Sequence, residues 1–539
     1  MTFTPLMSPI DVVSSFPAHQ FTLISLFSSR VAANPNKAFL AYGDMVWTYS
    51  ETALLVDKAV TWLLAQGVQA KDRIAVFSPN HPSTAILFLA LSRISAIMVP
   101  VNPDFGVNEA RYVLGNSGAR GVICAPETCA IAGQAIESFD DKPWIVLNER
   151  NDTGQETFLA FIQDVVPNVP STLPSPDDTC VFIYSSGTTG APKGAMHGQR
   201  GYVITAESFV VRLYLQPTDR ILCVLPLFHV NALFYSLGGT IAAGATLVLS
   251  RKFSAGSFWQ TVTKTRATTV NLIGAAASIL AKRDRREFVL GHQLKKAFIA
   301  PLNDMLSTVF TEEFHVDTLI ECYGMTEIPG VLSNPFLGPR ALGSMGKVSP
   351  HLVADLPQPT LRIVDEDFND VPVGEQGQLL VKTPTLMQGY YGDQDRTQAA
   401  FHEGWFITGD IARKDSDGFY WFIARQKDVI RCRGENISGA ELDRVISEHP
   451  SVLEVAAIGV PAPLGEEDVM AVIVLKPEAN VSANDIADWV KGRLAPIKIP
   501  AFVCFTDVIP KTPTHRVEKY KLKGNKALLS TATATYAAR

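Results

Sequence analysis

The run at 50–67, "SETALLVDKAVTWLLAQG", puts Val56, Ala59, Val60, Leu63 and Leu64 on one face at helical spacing. That period predicts an amphipathic helix, with Gly67 just past its end. The next apolar run, "RIAVFSPN" from Arg73, predicts a strand. Short apolar runs then recur between helical patterns: "GVICA", "PWIVLN", "CVFIY", "RILCVLP", "ATLVLS", "TTVNLI", "KAFIA" and "TLIECYG". Strands apolar on both faces and alternating with helices predict mostly parallel sheets covered by helices. The most apolar long segment, "AILFLALSRISAIMVPV", is interrupted by Ser92, Arg93 and Ser95. It predicts a buried helix rather than a membrane span.

The pattern changes after Thr408. "GFYWFIA" and "DVIRCRG" lie close enough to pair as a hairpin. A helix from Gly439, strands "VLEVAAIGV" and "MAVIVLKP", a helix from about Ala483 to Leu494 and a strand "AFVCF" follow. This is an α+β unit of roughly 110 residues, an ordinary domain size. A chain of 539 residues exceeds what one core usually supports. The expected fold class is therefore α/β. A large N-terminal domain, 1–427, combines mostly parallel, helix-covered sheets with a β-rich subdomain. A small α+β C-terminal domain, 428–539, begins at Asp428.

Composition narrows the function classes. With 47% apolar and 19% charged residues and a net charge of -6, the chain has a globular make-up and lacks the basic footprint of a nucleic-acid binder. Its first residues, "MTFTPLMSPI", show no basic segment followed by an apolar one, so no secretory signal is read. Seven cysteines are scattered without a CxxC pair, and ten histidines show no HExxH or HxxxH spacing. A reduced, cytoplasmic setting fits this pattern and a zinc site does not.

One polar run stands out. "YSSGTTGAPKG", at 184–194, follows the strand "CVFIY" and leads to a helix or a return strand. Glycines let backbone N–H groups approach a phosphate, hydroxyls add donors, and Lys193 adds charge. The spacing is not that of a Walker loop, because Pro192 precedes Lys193 and Gly194 follows it. On composition alone the run fits a surface loop better than a phosphate cradle.

Together with motifs further along, the run closely resembles the signature loop of the adenylate-forming superfamily, which includes acyl-CoA ligases, firefly luciferase and peptide-synthetase adenylation domains. "LPLFHVNALF" at 225–234 resembles that family's aromatic-gate segment and "ECYGMTE" at 321–327 its adenine and magnesium motif. "WFITGD" at 405–410 resembles its ribose-binding turn. "ARQKDVIRCRGENISGAELD" is similar to its hinge and early C-terminal domain, and "GEQGQLLVKTPTLMQGYYG" to its linking β-rich region. The resemblance runs from about residue 30 to about residue 522. "RCRGENIS" and "YGMTE" look most like the carnitine/crotonobetaine-CoA ligase branch.

The resemblance implies a ligase, an acyl-CoA synthetase of the kind met in fatty-acid metabolism, that uses ATP, Mg²⁺ and CoA. A carboxylate attacks the α-phosphate of ATP, giving acyl-AMP and pyrophosphate. The C-terminal domain then swings about a hinge, placed at Asp428, and the CoA thiol attacks the acyl carbon. By the same resemblance Ser185, Ser186, Gly187, Thr188, Thr189, Gly190 and Lys193 grip the β- and γ-phosphates. Thr326 donates to the α-phosphate and Glu327 holds Mg²⁺, a hard cation that prefers oxygen. Ala300, Pro301, Cys322, Tyr323 and Gly324 form the adenine site, with Tyr323 stacked on the base. Asp410 and Arg425 meet the ribose, and Gly434 contacts pantetheine. Read alone, Asp410 fits a turn, Glu327 a surface acid and Tyr323 a half-buried aromatic.

Several positions depart from the family pattern. Phe298 and Ile299 replace glycines before Ala300-Pro301, so the backbone sits further from the base or the acyl pocket narrows. Ala424 stands for glycine before Arg425, and Arg433 for the first glycine of the pantetheine segment. In "PKTPTHRVEKYKL", at 510–522, His515 stands at the family's glycine and Arg516 at its adenylating lysine, with Lys511 and Lys519 as rival cations. Arg516 is always charged and can engage two oxyanions at once.

For the acid, the gate segment offers His229 and Asn231 and no carboxylate to pair an α-ammonium, which disfavours an amino acid. Ala275 and Ala276 in "NLIGAAAS" stand where the family lines its acyl pocket. They leave room for an aliphatic or ring-bearing group, or only permit tight packing. The expected partners are a small carboxylic acid and CoA, with no nucleic acid and no membrane span, in a homodimer. The alternatives are transfer of the acyl group to another acceptor, or a nucleotide-binding relative with impaired adenylation.

Overall fold

The helix over Tyr49–Ala65 starts where a local signal places it. Thr48 Oγ1 accepts from Glu51 N at 3.1 Å and Glu51 Oε2 accepts from Thr48 N at 2.7 Å, a reciprocal cap that satisfies two terminal donors. Gly67, at φ +73°, follows its end. Val56, Ala59, Val60 and Leu63 are buried, but Leu64, expected on the same face, is exposed. The computed structural model describes residues 6–150, 157–185, 192–432, 435–462, 466–511 and 517–538.

Two compact units make up the chain. The first takes residues up to Ser185, those from 192 to Thr360, and Lys382–Gly404. The second takes Leu361–Val381 and the described residues from Trp405 onward.

In the first unit two seven-stranded sheets carry the core. In one, the strands Trp144–Leu147, Ala119–Cys124, Arg73–Phe77, Ile97–Val101 and Thr179–Ser185 lie side by side and parallel. Lys193–Gly198 and Gly389–Tyr390 extend it antiparallel. In the other, Thr318–Ile320, Lys296–Ala300, Thr269–Ile273, Arg220–Cys223, Thr246–Leu249 and Ala38–Tyr42 run parallel, and Met45–Thr48 closes one edge antiparallel. Apart from the edge strand Trp144–Leu147, which is mostly half-buried, the parallel strands are largely buried, as sheets covered on both faces must be.

The segment expected as a single buried helix is a helix followed by a strand. The helix Pro82–Arg93 is buried from Pro82 to Ser92, the chain turns through Ser95 at φ +55°, and Ile97–Val101 enters the sheet. Pro100 lacks the N–H a helix needs, and the β-branched residues beside it suit a strand. Among the described residues no helix is long and apolar enough to cross a membrane.

In the second unit Gln376–Lys382 pairs with Trp405–Lys414, which pairs in turn with Tyr420–Arg425. The hairpin expected between "GFYWFIA" and "DVIRCRG" does not form. Tyr420–Arg425 turns back onto Trp405–Lys414, while Val429–Cys432 pairs with Glu435–Ser438, Ile430 opposite Ile437. Both isoleucines enter an apolar core with Leu442, Ile446 and Val469, and that burial decides the pairing. Val452–Pro461, Glu467–Leu475 and Phe502–Phe505 make the main sheet of this part, with Gly439–Ser447 and Ala483–Val490 as helices. The second helix stops at Val490, short of Leu494, because the chain turns at Gly492, φ +81°, a conformation glycine adopts freely.

Candidate active site

Lys193 opens the return strand after the glycine-rich run. It lies opposite Ser185 in register, so the run is a connection between antiparallel neighbours. Its ends are pinned: Tyr184 OH donates to Asn116 Oδ1 at 2.6 Å. A Cβ on Gly194 would sit 2.9 Å from the Tyr184 ring, so only glycine fits there. Ser186, Gly187, Thr188, Thr189 and Gly190 lie outside the described residues, as do Gly434 and Arg516.

"ECYGMTE" folds as a short strand, Cys322–Tyr323, and a tight turn. Met325 and Ile328 bond to each other's backbone, and Gly324 packs so closely on Gly330 that a Cβ would meet its nitrogen at 2.5 Å. Three contacts hold the turn. His197 Nε2 lies 2.8 Å from Thr326 O, Met387 N donates to Glu327 O at 2.9 Å, and Tyr390 OH donates to Glu327 Oε1 at 2.8 Å. A carbonyl only accepts, so His197 carries its proton on Nε2. Burial pushes this imidazole down to about 4, which keeps it neutral. Glu327 and Tyr323 are themselves largely buried.

At the start of the motif Glu321 accepts from Leu302 N at 2.9 Å and Gly343 N at 3.0 Å. It thus ties the residue after Ala300-Pro301 to the motif. Burial outweighs these two bonds and pushes its carboxyl up to about 8. The Ala300-Pro301 peptide is cis. Phe298 and Ile299, which replace the family's glycines, are buried. The Phe298 ring packs edge-on against Phe209 at 5.0 Å and Tyr235 at 5.8 Å.

The gate segment leads into a wide π-helical turn, Asn231–Gly238, a form that recurs at functional sites. His229 Nε2 and Asn231 Oδ1 are buried without a hydrogen-bond partner among the described residues. As a residue His229 is half-buried, yet its Nε2 is closed off from solvent. Burial pushes the ring down to about 3. The gate is therefore polar and uncharged near neutral pH. At the start of the helix Gly274–Lys282, Ala276 is buried and Ala275 exposed. A Cβ on Gly274 would meet Pro301 O at 2.8 Å, so glycine brings this helix against the Ala300-Pro301 turn.

In the second unit Asp410 is fully buried, on a bulge in the strand Trp405–Lys414. Gly409 at φ +70° makes the bulge, and Thr408 Oγ1 braces it by donating to Leu379 O at 2.8 Å and accepting from Asp410 N at 3.0 Å. Bulges re-aim side chains in this way. Arg425, opposite on the next strand, puts Nε 2.7 Å from Asp410 Oδ1. The two residues expected at the ribose are thus an ion pair. Asp428 closes the turn Gln426–Asp428 between two strands of this unit.

The rival cations near the C-terminus are committed elsewhere. Lys511 pairs with Glu454, and Lys519 pairs with Asp443 at 2.6 Å while donating to Ala457 O at 2.9 Å. Sequence reasoning did not single out His197, Glu321 or Tyr390. Tyr390 stands in the quoted "MQGYYG" run, but nothing local marks its partner, 63 positions away. Among the described residues no group of three or more His, Cys, Asp or Glu could hold a metal ion.

The AMP-binding enzyme family matches residues 27–391, and the AMP-binding enzyme C-terminal domain matches 441–516. A sulfoacetate–CoA ligase of Cupriavidus necator is 30% identical over 507 residues, covering 93% of this chain and 97% of that protein. Among solved structures, ATP-bound MatB from Rhodopseudomonas palustris superposes with a TM-score of 0.83 at 26% identity, over 93% of this chain and 98% of that one. The anthranilate CoA ligase AuaEII, in complex with anthranoyl-AMP, gives 0.87 at 25% identity, over 96% and 99%.

Proposed function

This chain belongs to the AMP-binding enzyme family, and from that premise we propose how its residues carry out the reaction. It is an ATP-dependent acid–CoA ligase that forms an acyl-AMP and then an acyl-CoA thioester. A free carboxylate is a poor acceptor for a thiol, and the mixed anhydride supplies the leaving group. The charge building on the α-phosphate as the acid attacks must meet cations and N–H or O–H donors.

In our reading Lys193 and the Ser185–Gly190 run grip the outer phosphates. Thr326 donates to the α-phosphate, with its backbone anchored by His197. Glu327 holds Mg²⁺. One buried carboxylate suits this ion, which takes one or two carboxylates and fills its shell with water and substrate phosphate. Bound there, the ion would neutralise phosphate charge during attack. Ala300, Pro301, Cys322, Tyr323 and Gly324 take the adenine. Asp410 accepts the ribose hydroxyls while its ion pair with Arg425 aims it. Arg516 supplies the adenylation cation, Gly434 contacts pantetheine, and Asp428 is the hinge between 1–427 and a mobile 428–539. The contact that most supports the assignment of Glu327 is its buried carboxylate, 2.8 Å from Tyr390 OH.

For the substrate, we infer a carboxylic acid without an α-ammonium, held beside His229, Asn231, Ala275 and Ala276. The neutral gate histidine and Asn231 Oδ1, without a partner among the described residues, offer hydrogen bonds and no counter-charge. We place the reaction in the cytoplasm, in keeping with seven free thiols, and take a homodimer as the working assembly, to be read by light scattering.

Incubation with ATP, Mg²⁺ and a panel of acids, with and without CoA, tests the reading when AMP, acyl-AMP and acyl-CoA are resolved by mass. Acid- and CoA-dependent acyl-CoA is expected from a non-amino acid. Acyl-AMP that never passes to CoA, or turnover confined to amino acids, would overturn it.

A further inference from the structure

The strand Gly389–Tyr390 sits beside Lys193–Gly198 with Tyr390 opposite Ala195. Lys193 is two residues away on the same face of its strand, within the diagonal reach of a large side chain. Its ammonium lies 5.0 Å from the centre of the Tyr390 ring, inside cation–π range. The far end of the same ring carries the hydroxyl that donates to Glu327 Oε1 at 2.8 Å.

The tyrosine is itself held. It is 7% exposed. Its N donates to Thr397 Oγ1 at 2.9 Å, and that hydroxyl donates to Asp393 O at 2.8 Å.

We propose that Tyr390 is a positioning residue whose hydroxyl orients the Glu327 carboxylate for the metal ion and whose ring seats the Lys193 ammonium for the phosphates. This rests on the roles given to Glu327 and Lys193 above. A carboxylate with Oε1 engaged by a fixed donor cannot rotate freely about its side-chain bond. Outer partners of metal-binding side chains act in this way, and losing one typically weakens metal affinity by about 10- to 100-fold. One side chain thereby sets the spacing between the anionic and cationic parts of the site.

The test uses the full chain and Mn²⁺ as probe, titrated by electron paramagnetic resonance with a saturating non-hydrolysable ATP analogue present. Tyr390→Phe keeps the ring and removes the hydroxyl. It should weaken Mn²⁺ binding about tenfold and leave metal-free binding of the analogue unchanged. Tyr390→Leu removes the ring as well and should weaken metal-free analogue binding by about threefold. Melting temperatures identify any variant that is merely misfolded. If Tyr390→Leu unfolds the chain, Tyr390→Phe still decides the role of the hydroxyl, and wild-type metal-free analogue binding in Lys193→Ala would overturn that of the ring. Wild-type Mn²⁺ affinity in Tyr390→Phe, alongside weakened affinity in Glu327→Gln, overturns the inference and leaves the metal role of Glu327 standing. Wild-type affinity in Glu327→Gln overturns that role and the inference with it.

Discussion

Raising the pH should unload a stabilising proton from Glu321, and Glu321→Gln should abolish that dependence. The side chain is 6% exposed and sits between the amides of Leu302 and Gly343. Burial pushes its carboxyl from 4.5 up to about 8. From the unfolded value to about 8, the folded carboxyl holds a proton that the unfolded chain has lost. Its contribution is therefore complete below the unfolded value and is lost as pH rises through the folded one. The shift from 4.5 to about 8, at about 1.36 kcal/mol per pH unit, amounts to about 5 kcal/mol. About 2–3 kcal/mol of it falls between about pH 6 and about pH 9. The amide of Glu321→Gln does not titrate. It still accepts from one backbone N–H but turns its NH₂ towards the other, at a cost of about 1–3 kcal/mol. The variant should thus be the less stable protein at the acid end, with the gap narrowing by about 2–3 kcal/mol towards the alkaline end. Urea unfolding followed by tryptophan fluorescence, at constant ionic strength across this pH range, reads the gap directly. A gap that stays flat or widens as pH rises would refute the reasoning. Because Glu321 braces the residue after Ala300-Pro301, the KM for ATP in the wild type should rise over the same interval.

Asp410→Asn should raise the KM for ATP about tenfold or more, the scale of losing a hydrogen bond to a charged group, and should erase the preference for ATP over 2′-deoxy-ATP; a preference that survives intact would remove Asp410 from the ribose. Arg516→Ala should lose acyl-AMP formation while keeping thioester formation from pre-made acyl-AMP, and the same selective loss in Lys519→Ala instead would move the cation. Lys519→Ala should act on stability, because it leaves Asp443 with the Ala457 N–H but no counter-charge. That carboxylate side chain keeps 27% exposure, so a loss of about 2 kcal/mol is expected rather than the larger cost of a fully buried pair, read from the urea midpoint. Asp428→Pro fixes φ near about −65° and should impair one half-reaction far more than the other in single-turnover assays; equal losses would count against a hinge.

How much of this was legible in the chain follows from the range of each interaction. The apolar face from Val56 to Leu63 and the turn at Gly67 are written within a few residues of one another, and they appear in the structure as read, except that Leu64 falls outside the buried face. The alternation of apolar strands with helices likewise carried the parallel sheets, because burial on both faces leaves its mark on every strand. The polar run ending at Lys193 and the "YGMTE" turn are short-range patterns too, and they carried the family. Local pattern failed where two elements competed for one partner. Nothing between Gly418 and Gly434 says that Tyr420–Arg425 will turn back to Trp405–Lys414 or that Ile430 will sit opposite Ile437. The choice is made by which pairing buries the isoleucines. Nor does an apolar run announce that it breaks at Ser95 into helix and strand. The protonation of Glu321, the neutrality of His229 and the meeting of Tyr390 with Glu327 and Lys193 belong to the tertiary structure alone. Desolvation and hydrogen bonding depend on what the fold packs around a group, and those neighbours come from distant parts of the chain.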